Sequence, residues 1–315
     1  MFDPEEFVRS KIQEMTGEIQ GRAIMACSGG VDSTVAAVLA SRAIGSRLLG
    51  IHVDTGYLRK GESRRVAALL ERMDVHHKVL DAREEFYSAL KGIAHPEEKR
   101  RIIGEKFIRL FEAEAEQWDA DYLVQGTIAP DWIESGGMLR DTIKSHHNVG
   151  ALPKEMKLKL VEPLRDLYKD EVRKVARALG IEIAEQQPFP GPGLAVRIIG
   201  EVTPEATEIV REACAVVEEE IEDGAQRGEM ELPWQYFAVL LPVKTVGVQG
   251  DLRAYGYTIA VRAVHSIDGM TAAYSQIPHS VLDRISRRIT NSMKDKVNRV
   301  VYDITSKPPG TIEWE

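Results

Sequence analysis

The chain has 315 residues, a length that suits two domains, and its 43% hydrophobic and 29% charged residues are typical of a soluble globular protein. A formal net charge of −8 argues against broad, salt-driven binding of nucleic acid, and no apolar stretch approaches the ~20 residues that span a bilayer. The acidic N-terminal segment lacks the apolar core of a signal peptide, so we expect a cytoplasmic protein with neither nucleic-acid nor membrane partners.

Strands and helices alternate through the first half of the chain. The predicted elements are, in order, a helix over residues 4–20, a strand over 23–27, a helix opening over 35–40, a strand over 48–53, a helix over 62–72, a strand over 76–80, a helix over 97–118, a strand over 121–125 and a helix over 170–179. This alternation predicts an α/β fold with a doubly wound, mostly parallel sheet, in which ligands gather beyond the carboxyl ends of the strands.

The first predicted strand is followed by the segment Ser28-Gly29-Gly30-Val31-Asp32-Ser33-Thr34. Its two glycines let the backbone turn tightly, and its hydroxyl groups and the free amides of a helix start suit an anion. Asp32 would repel a phosphate unless a cation bridges the two, and Mg²⁺ is the usual bridge. An ordinary glycine-rich turn is the weaker interpretation, because the whole segment lies between a strand and a helix.

Polar clusters also follow the second and fourth predicted strands. Val53 and Asp54 close the second strand, where a polar turn can frame an adenine, although a plain strand-to-loop turn is an equally good interpretation. After the fourth strand, Gly126 would let a ligand approach the backbone and Thr127 offers a hydroxyl. Farther on, the polar segment Lys144–Asn148 suits hydrogen bonding to phosphates or substrate better than metal binding by its adjacent histidines.

The predicted domain boundary lies at residues 188–193, which hold three prolines and two glycines and therefore suit neither a helix nor a central strand. We expect domains over residues 1–188 and 189–315. The elements predicted for the second domain are a helix from Thr203 to about Glu222, strands over 236–248 and 257–264, a helix over about 280–295 and a last strand over 299–304. This order predicts an α+β domain on a small, mainly antiparallel sheet.

The C-terminal segment Lys307-Pro308-Pro309-Gly310-Thr311-Ile312-Glu313-Trp314-Glu315 joins a rigid turn to large apolar residues, so we expect it to dock rather than fray. Lys307 and Glu313 are then candidates for a second ligand, the amine facing a phosphate and the carboxylate accepting from base N–H groups. The alternative is a tail that packs for stability alone. The two cysteines, Cys27 and Cys214, lie in strand and helix patterns, and we expect both in the core rather than in a disulfide.

Segment Ser28–Thr34 resembles the pyrophosphate loop of the N-type ATP pyrophosphatases, and nearly the whole chain resembles the ATP-pyrophosphatase subunits of two-subunit GMP synthetases. The loop is shared by several families, whereas Gly247–Asp251 and Lys307–Glu315 are far more specific. The markers of the resemblance are Ser28–Thr34, His52–Gly56, Glu97–Gly104, Gln125–Thr127, Lys144–Asn148, Pro188–Leu194, Lys244–Asp251 and Arg299–Glu315.

The resemblance implies an adenine nucleotide alpha-hydrolase-like first domain, a C-terminal dimerisation domain, and ATP-dependent amination of XMP to GMP through an adenylyl-XMP intermediate. It also implies that the chain binds ATP and Mg²⁺, with Asp32 as the metal ligand. The implied catalytic residues are Ser28, Asp32, Ser33 and Lys144; the implied ATP-binding residues are Ser28, Gly29, Gly30, Val31, Asp32, Ser33, Thr34, Val53, Asp54, Gly126 and Thr127; the implied XMP-binding residues are Arg100, Asp251, Lys307, Thr311 and Glu313.

Many members of that family carry a glutaminase domain with a Cys-His-Glu triad upstream. Here 27 residues precede the pyrophosphate loop, and neither cysteine lies in a nucleophile elbow. We therefore expect ammonia to come from a separate glutamine amidotransferase subunit. Apolar stretches of residues 189–315 such as Phe237–Leu241, together with the resemblance, lead us to expect a homodimer. Two other function classes fit less well. A tRNA thiolase with the same loop would need a reactive cysteine pair and a basic surface, and a nucleotide-sensing module would not need two nucleotide sites.

Overall fold

The structure is a computed structural model that describes residues 2–129, 158–182, 187–249, 252–267 and 269–315. The chain divides into two compact units. The first comprises Met1–Asp54, Gly61–Ala82 and Gly104–Glu185, and the second comprises Thr55–Lys60, Arg83–Ile103 and Gln186–Glu315. The chain passes into the second unit for the last time at Gln186, close to the boundary predicted at residue 188, and two earlier segments also belong to that unit.

The first unit is built on a parallel sheet. Its strands in the described residues are β1 Ala23–Ala26, β2 Leu48–Asp54, β3 His77–Asp81, β4 Tyr122–Val124 and β5 Lys159–Val161. They lie in the order β3-β2-β1-β4-β5, and each neighbouring pair is parallel, so the predicted sheet is confirmed. Because winding reverses between β1 and β4, the loops after these strands diverge and open a crevice at the carboxyl edge of the sheet.

The helices of the described residues are α1 Pro4–Glu18, α2 Val31–Ile44, α3 Glu62–Arg72, α4 Arg83–Ala89, α5 Pro96–Trp118, α6 Lys169–Ala178, α7 Pro204–Gln226 and α8 His279–Ser292. Helix α1 begins after Asp3, whose carboxylate accepts from the amides of Glu5 and Glu6. Helix α2 buries the whole apolar run Val35–Ala40 in the core of the first unit. Within the described part of the chain, no helix combines the length and apolarity needed to cross a membrane.

The second unit holds a mixed sheet whose strands, in the described residues, are β6 Gln235–Gln249, β7 Leu252–His265, β8 Ala273–Tyr274 and β9 Val297–Asp303. Strand β7 pairs antiparallel with β6 and β8 and parallel with β9, which confirms the mainly antiparallel prediction. A short 3₁₀ helix, Gly193–Arg197, precedes α7. After β9 the chain ends in residues 304–315, called the C-terminal tail below.

Among the strands and α-helices of the described residues, β5, β8 and α4 were not predicted from the sequence. Strands β5 and β8 have three and two residues, too few to show a hydrophobic period, and β5 is held in place by pairing with β4. Helix α4 has seven residues and buries a single one, Phe86, so its apolar face leaves little trace in the pattern. The longer elements begin or end within a few residues of their predicted limits, except that β7 starts five residues earlier.

Candidate functional site

The chain turns sharply between β1 and α2. The Cys27 amide donates to the Ile51 carbonyl at 2.7 Å, which extends the pairing of β1 with β2 by one residue. Gly29 then adopts a φ of +85°, and a Cβ at this position would lie 2.4 Å from Cγ2 of Val66. Glycine is the residue that tolerates both the left-handed conformation and the close contact, so the turn depends on Gly29.

Hydroxyl groups stabilise this turn from inside. Ser33 Oγ and Thr34 Oγ1 donate to the Gly30 carbonyl at 3.0 and 2.9 Å. Since Ser33 uses its proton there, Ser28 Oγ donates to Ser33 Oγ across 3.0 Å. Ser28 Oγ also accepts from the Gly30 amide at 3.3 Å. The serine and threonine side chains therefore hold the first turn of α2 in one geometry.

The first turn of α2 suits an anion. Its N-cap is Gly30, which has no side chain to occupy the first amides of the helix. Such amides lack intrahelical acceptors and lie at the positive end of the helix dipole, so they bind phosphate groups well. Asp32 lies in this same turn.

The chemistry of the turn fits Mg²⁺ as an ion shared with the nucleotide. Among the described residues, no group of three or more His, Cys, Asp or Glu side chains could hold a metal ion. Mg²⁺ does not need such a group, because it usually binds one or two carboxylates together with substrate phosphates and water. Asp32 therefore fits a Mg²⁺ ion that arrives with a bound nucleotide.

The loop after β4 packs against this turn. A Cβ on Gly126 would lie 3.1 Å from the carbonyl carbon and oxygen of Asp32 and 3.2 Å from Cα of Ser33. Thr127 is 7% exposed, and in the described part of the chain neither its Oγ1 nor Oε1 of Gln125 has a hydrogen-bond partner. Buried polar atoms without partners are uncommon in folded proteins. Both atoms follow β4 at the crevice, where a bound ligand would satisfy them.

A chain of hydrogen bonds links the end of β2 to the same turn. His52 is 2% exposed, with Nδ1 2.8 Å from the Cys27 carbonyl oxygen and Nε2 3.2 Å from Ser63 Oγ. Ser63 Oγ in turn donates to Oδ2 of Asp54 at 2.9 Å. Asp54 is thereby tied to the residue immediately before the turn.

The predicted ATP-binding residues of the described chain thus follow three adjacent strands. The Ser28–Thr34 segment lies after β1, Val53 and Asp54 end β2, and Gly126 and Thr127 come after β4. In the sheet, β1 lies between β2 and β4. Lys144, the remaining predicted catalytic residue, and the pair His146 and His147 lie outside the described residues.

Glu313 of the C-terminal tail is held by a buried arginine. The side chain of Arg197 is 0% exposed and donates from Nη2 and Nε to Oε1 and Oε2 of Glu313 at 2.8 and 3.1 Å. Gln235 Nε2 donates to Oε1 at 2.9 Å. The rings of Phe237 and Phe189 flank the guanidinium, with centroids 4.1 and 5.1 Å from its central carbon. Burial lowers the pKa of Arg197, but interactions with its neighbours, the charge of the Glu313 carboxylate foremost among them, together raise it by more. The pKa of Arg197 therefore lies above its ordinary value.

Arg262, in β7, anchors the backbone of the tail. Its side chain is 0% exposed and pairs with Asp303 Oδ2 at 3.1 Å. It donates to the Thr311 carbonyl at 2.9 Å and to the Thr305 carbonyl. Trp314 Nε1 donates to the same Asp303 oxygen over 3.0 Å. The tail therefore docks, as the sequence predicted, and a buried cation determines its path.

A third buried cation lies at the start of α5. Lys99 is 0% exposed, donates to the Ile198 carbonyl at 2.7 Å, and pairs with the Glu315 carboxylate. Burial lowers the pKa of Lys99 and raises the pKa of the Glu315 side chain. The hydrogen bond between the two groups and their opposite charges act in the other direction but do not cancel the effect of burial. Arg100 donates to the backbone carbonyl of Glu315.

Lys307 and Thr311, two further predicted XMP-binding residues, also have protein partners. Lys307 Nζ donates to the Gly269 carbonyl at 2.8 Å, and Thr311 Oγ1 donates to the Glu313 carbonyl. Asp251 lies outside the described residues. In this structure, Lys307 and Glu313 therefore lie in the docked tail, already engaged by protein groups.

Sequence reasoning missed two of the buried cations and the His52–Ser63 link. Arg262 did carry a signal: it interrupts the apolar stretch Ile259–Val264 of a long strand, and a charged residue in such a place is normally paired. Lys99 carried none, since it lies in a helix segment rich in charged residues. Only contacts between segments far apart in the chain show that it is buried.

Both cysteines are buried and unpaired, as predicted. Burial raises the pKa of the Cys27 thiol to about 12, and burial likewise raises the pKa of Cys214. The thiolate is the reactive form of cysteine, so neither residue is suited to thiol chemistry near neutral pH.

Sequence comparison assigns both halves of the chain. Residues 22–187 match the family described as queuosine biosynthesis protein QueC, and residues 221–314 match the GMP synthase C terminal domain. One of the subunits of the glutamine-hydrolyzing GMP synthase from Thermoplasma acidophilum is 58% identical over 302 residues, which cover 96% of this chain and 96% of that protein. The protein of the same name from Methanopyrus kandleri is 58% identical over 319 residues, covering 100% of both. The chain belongs to this family of GMP synthase subunits.

Membership in this GMP synthase family confirms the resemblance drawn from the loop and tail motifs, and with it the predicted enzyme class, a ligase.

Among solved structures, NMN synthetase from Francisella tularensis is similar to this chain at 15% sequence identity and a TM-score of 0.49. The similarity covers 94% of this chain and 97% of that one.

Proposed function

We propose that this member of the GMP synthase family aminates XMP to GMP at the expense of ATP, releasing AMP and pyrophosphate. The observation that carries the proposal is the turn after β1. There a glycine in left-handed conformation, a set of linked hydroxyls and the first turn of α2 converge at the crevice of a parallel sheet. This arrangement suits the two phosphates that leave together as pyrophosphate.

The proposed chemistry has two transfers. In the first, a ring N–H beside C2 loses its proton, O2 of the xanthine ring attacks the α-phosphorus of ATP, and the bond to pyrophosphate breaks. In the second, ammonia attacks C2 of the resulting adenylyl-XMP, AMP departs with the ring oxygen, and the nitrogen loses a proton. The adenylyl step is needed because the ring oxygen by itself is a poor leaving group, whereas AMP is a good one.

Residues of the turn would act on the departing phosphates. The first-turn amides of α2 would stabilise the charge that develops on pyrophosphate, and the hydroxyls of Ser28 and Ser33 would join them by exchanging their bonds within the turn for bonds to phosphate oxygens. Asp32 would hold Mg²⁺, which when bound disperses that charge. Thr127 would donate to the nucleotide, and Lys144 would contact its phosphates.

XMP would bind in the second unit. Lys307 would face its phosphate, and the Glu313 carboxylate would accept from an N–H group of its base. Arg100, Thr311 and Asp251 complete the proposed set of XMP contacts. Support comes from the docking of the tail, which holds Glu313 in one defined position.

Ammonia would come from a separate glutamine amidotransferase subunit. The relatives of the chain are named as one subunit of a synthase that hydrolyses glutamine, which leaves the glutaminase activity to another polypeptide. Both cysteines of this chain are buried, and burial raises the pKa of each, so neither suits the nucleophile of a glutaminase. The same observation disfavours a tRNA thiolase.

The test is to mix the purified chain with ATP, Mg²⁺ and XMP and to measure pyrophosphate and GMP. We expect both products with an ammonium salt and no GMP with glutamine. GMP made from glutamine by the chain alone would contradict the separate amidotransferase. Absence of pyrophosphate under all these conditions would favour a nucleotide-sensing module and contradict the proposed activity.

A further inference from the structure

The Glu313 carboxylate is almost, but not fully, satisfied by protein donors. An ionised carboxylate offers about four lone-pair sites. Oε1 accepts from Arg197 Nη2 and Gln235 Nε2, and Oε2 accepts from Arg197 Nε. Among the described residues, Oε2 thus keeps one site for a further donor. The Glu313 side chain as a whole is 16% exposed, so it is not completely closed off from a ligand.

Arg197 is more deeply buried than the carboxylate it holds, at 0% against 16% exposure of the side chains. It ends the 3₁₀ helix Gly193–Arg197, and its guanidinium carbon lies 4.1 Å from the ring centroid of Phe237 and 5.1 Å from that of Phe189. Its Nη1 faces Sγ of Cys214 at 3.9 Å. A guanidinium that donates two N–H bonds to one carboxylate sets both the position and the tilt of that carboxylate. A lysine would keep the charge but could not set the tilt.

We propose that Arg197 is a positioning residue for the recognition of XMP: it aims the remaining lone-pair site of Glu313 Oε2 at a ring N–H of the base. The inference rests on the proposed function, because it takes Glu313 as the acceptor for that base. Xanthine carries N–H groups on both sides of C2, the atom to be aminated. An acceptor held at either one also places the O2 oxygen that must be adenylylated.

The adenine base of ATP offers a different pattern, since its ring nitrogens carry no hydrogen in the nucleotide. A fixed carboxylate acceptor therefore favours a purine with ring N–H groups over adenine. The positioning of Glu313 thus adds to specificity as well as to affinity, and its loss is expected to affect XMP and not ATP.

The experiment compares Arg197→Lys with Arg262→Lys in the ammonium-dependent reaction. Both arginines are fully buried and both hold the C-terminal tail, but Arg262 contacts backbone carbonyls and Asp303 rather than Glu313. A charge-assisted contact is worth roughly 10- to 100-fold in affinity, so we expect Arg197→Lys to raise the KM for XMP by about that factor. The KM for ATP should not change, and Arg262→Lys should have the smaller effect on XMP.

A double-mutant cycle with Glu313→Gln tests whether Arg197 acts through Glu313. We expect Arg197→Lys to raise the KM for XMP by less than about twofold once Glu313→Gln is present, because coupled residues are not additive. Full additivity, or an unchanged KM for XMP in Arg197→Lys alone, would overturn the proposal.

Thermal melting of each variant shows that it is folded. Should Arg197→Lys not fold, Phe189→Leu loosens the guanidinium without removing it, and the same cycle with Glu313→Gln then gives the answer. A wild-type chain that forms no GMP would contradict the proposed function itself. A fully active wild type, together with effects of Arg197→Lys and Glu313→Gln on the KM for XMP that are additive, would contradict only the role of Arg197.

Discussion

At the scale of single residues, the turn after β1 depends on two residues that hold its backbone in place, Gly29 and Thr34. Gly29 has a left-handed φ and no room for a Cβ, and Thr34 is buried with its hydroxyl on the Gly30 carbonyl. These residues build the turn. The groups of the turn that would meet a ligand are the first amides of α2, the hydroxyls of Ser28 and Ser33 and the side chain of Asp32, so its proposed function depends on few atoms.

The first prediction at this scale concerns Asp32. We expect Asp32→Asn to lower kcat by at least about 10²-fold at saturating XMP, because the neutral amide is a poor ligand for the proposed Mg²⁺ and charge on the leaving group would go unbalanced. Steady-state kinetics over a range of Mg²⁺ measure this. Asp170→Asn, which removes an acid from the first turn of α6, is the matched control. Near-normal kcat in Asp32→Asn would show that the metal is held elsewhere.

The second prediction concerns Gly126, whose backbone lies against α2. In Gly126→Ala the new Cβ would press on backbone atoms of Asp32 and Ser33 at 3.1–3.2 Å, contacts that backbone cannot easily relieve. We expect a higher KM for ATP, measured by initial rates, with little change in the KM for XMP. Gly17→Ala serves as control, since a Cβ there meets nothing within 4 Å. Equal effects of the two substitutions would argue against a crevice at this point.

At the scale of elements, helices α7 and α8 are joined by an acid that is almost completely buried. Glu220 of α7 is 6% exposed and accepts from Arg284 Nε at 2.8 Å and Arg288 Nη1 at 2.9 Å, both on α8. Burial raises the pKa of Glu220, but hydrogen bonds from the two arginines lower it by more, and the resulting pKa lies below its ordinary value. The pairing of α7 with α8 therefore depends on the ionised form of this acid.

We expect Glu220→Gln to destabilise the fold by roughly 1.5–3 kcal/mol near pH 7, the range for hydrogen bonds to charged groups. Because the folded-state pKa of Glu220 is depressed, its stabilisation is complete above the unfolded value of about 4.3 and is lost as the pH falls through the folded pKa. The difference in melting temperature between the wild type and Glu220→Gln should thus close in acid.

The control is Glu205→Gln on the same helix, where the acid is 62% exposed and pairs with Lys296 at 3.6 Å. An exposed pair of this kind contributes little, so we expect almost no change in melting temperature. A difference between the wild type and Glu220→Gln that stays constant from pH 7 to pH 3 would contradict the linkage.

At the scale of the whole molecule, the β6–β7 hairpin exposes an apolar patch, defined here as Val246, Val248 and Tyr255. Val246 lies opposite Tyr255 in the pairing of the two strands, and Val248 lies two residues farther along the same face. The three side chains are 50%, 76% and 66% exposed. Clustered exposed apolar residues are typical of an interface, and we propose that the chain forms a homodimer through this patch.

Sedimentation velocity tests the dimer. We expect the wild type to sediment as a dimer at micromolar concentration and Tyr255→Lys to shift it towards monomer, because a lysine ammonium at an apolar interface must lose its hydration. Tyr168→Lys, at a 51% exposed tyrosine in the first unit, should leave the mass unchanged. A wild type that sediments as a monomer would contradict the proposed homodimer.

Much of the architecture could be read from residue patterns alone. Apolar runs bounded by polar turns predicted β1, β2, α2 and the long strands β6 and β7, because burial of such runs follows directly from the hydrophobic effect. The motif Ser28–Thr34 predicted an anion-binding turn, since glycine pairs and hydroxyls at a helix start have few other uses. The domain boundary near residue 188, inferred from the stiffness of its prolines, stays a prediction.

The tertiary structure decided which polar side chains are buried and which groups they meet. In the sequence, Lys99 and Arg197 look like ordinary cations, and Arg262 alone of the three interrupts an apolar stretch. All three are nevertheless fully buried and hold a tail more than 40 residues away in the chain. A local sequence pattern reflects the average polarity of a segment. Burying a charge is unfavourable unless a partner of opposite charge lies beside it, and only the fold brings that partner near. For the same reason the sequence determined the sheet and the turn, and the fold decided how the Glu313 carboxylate is held.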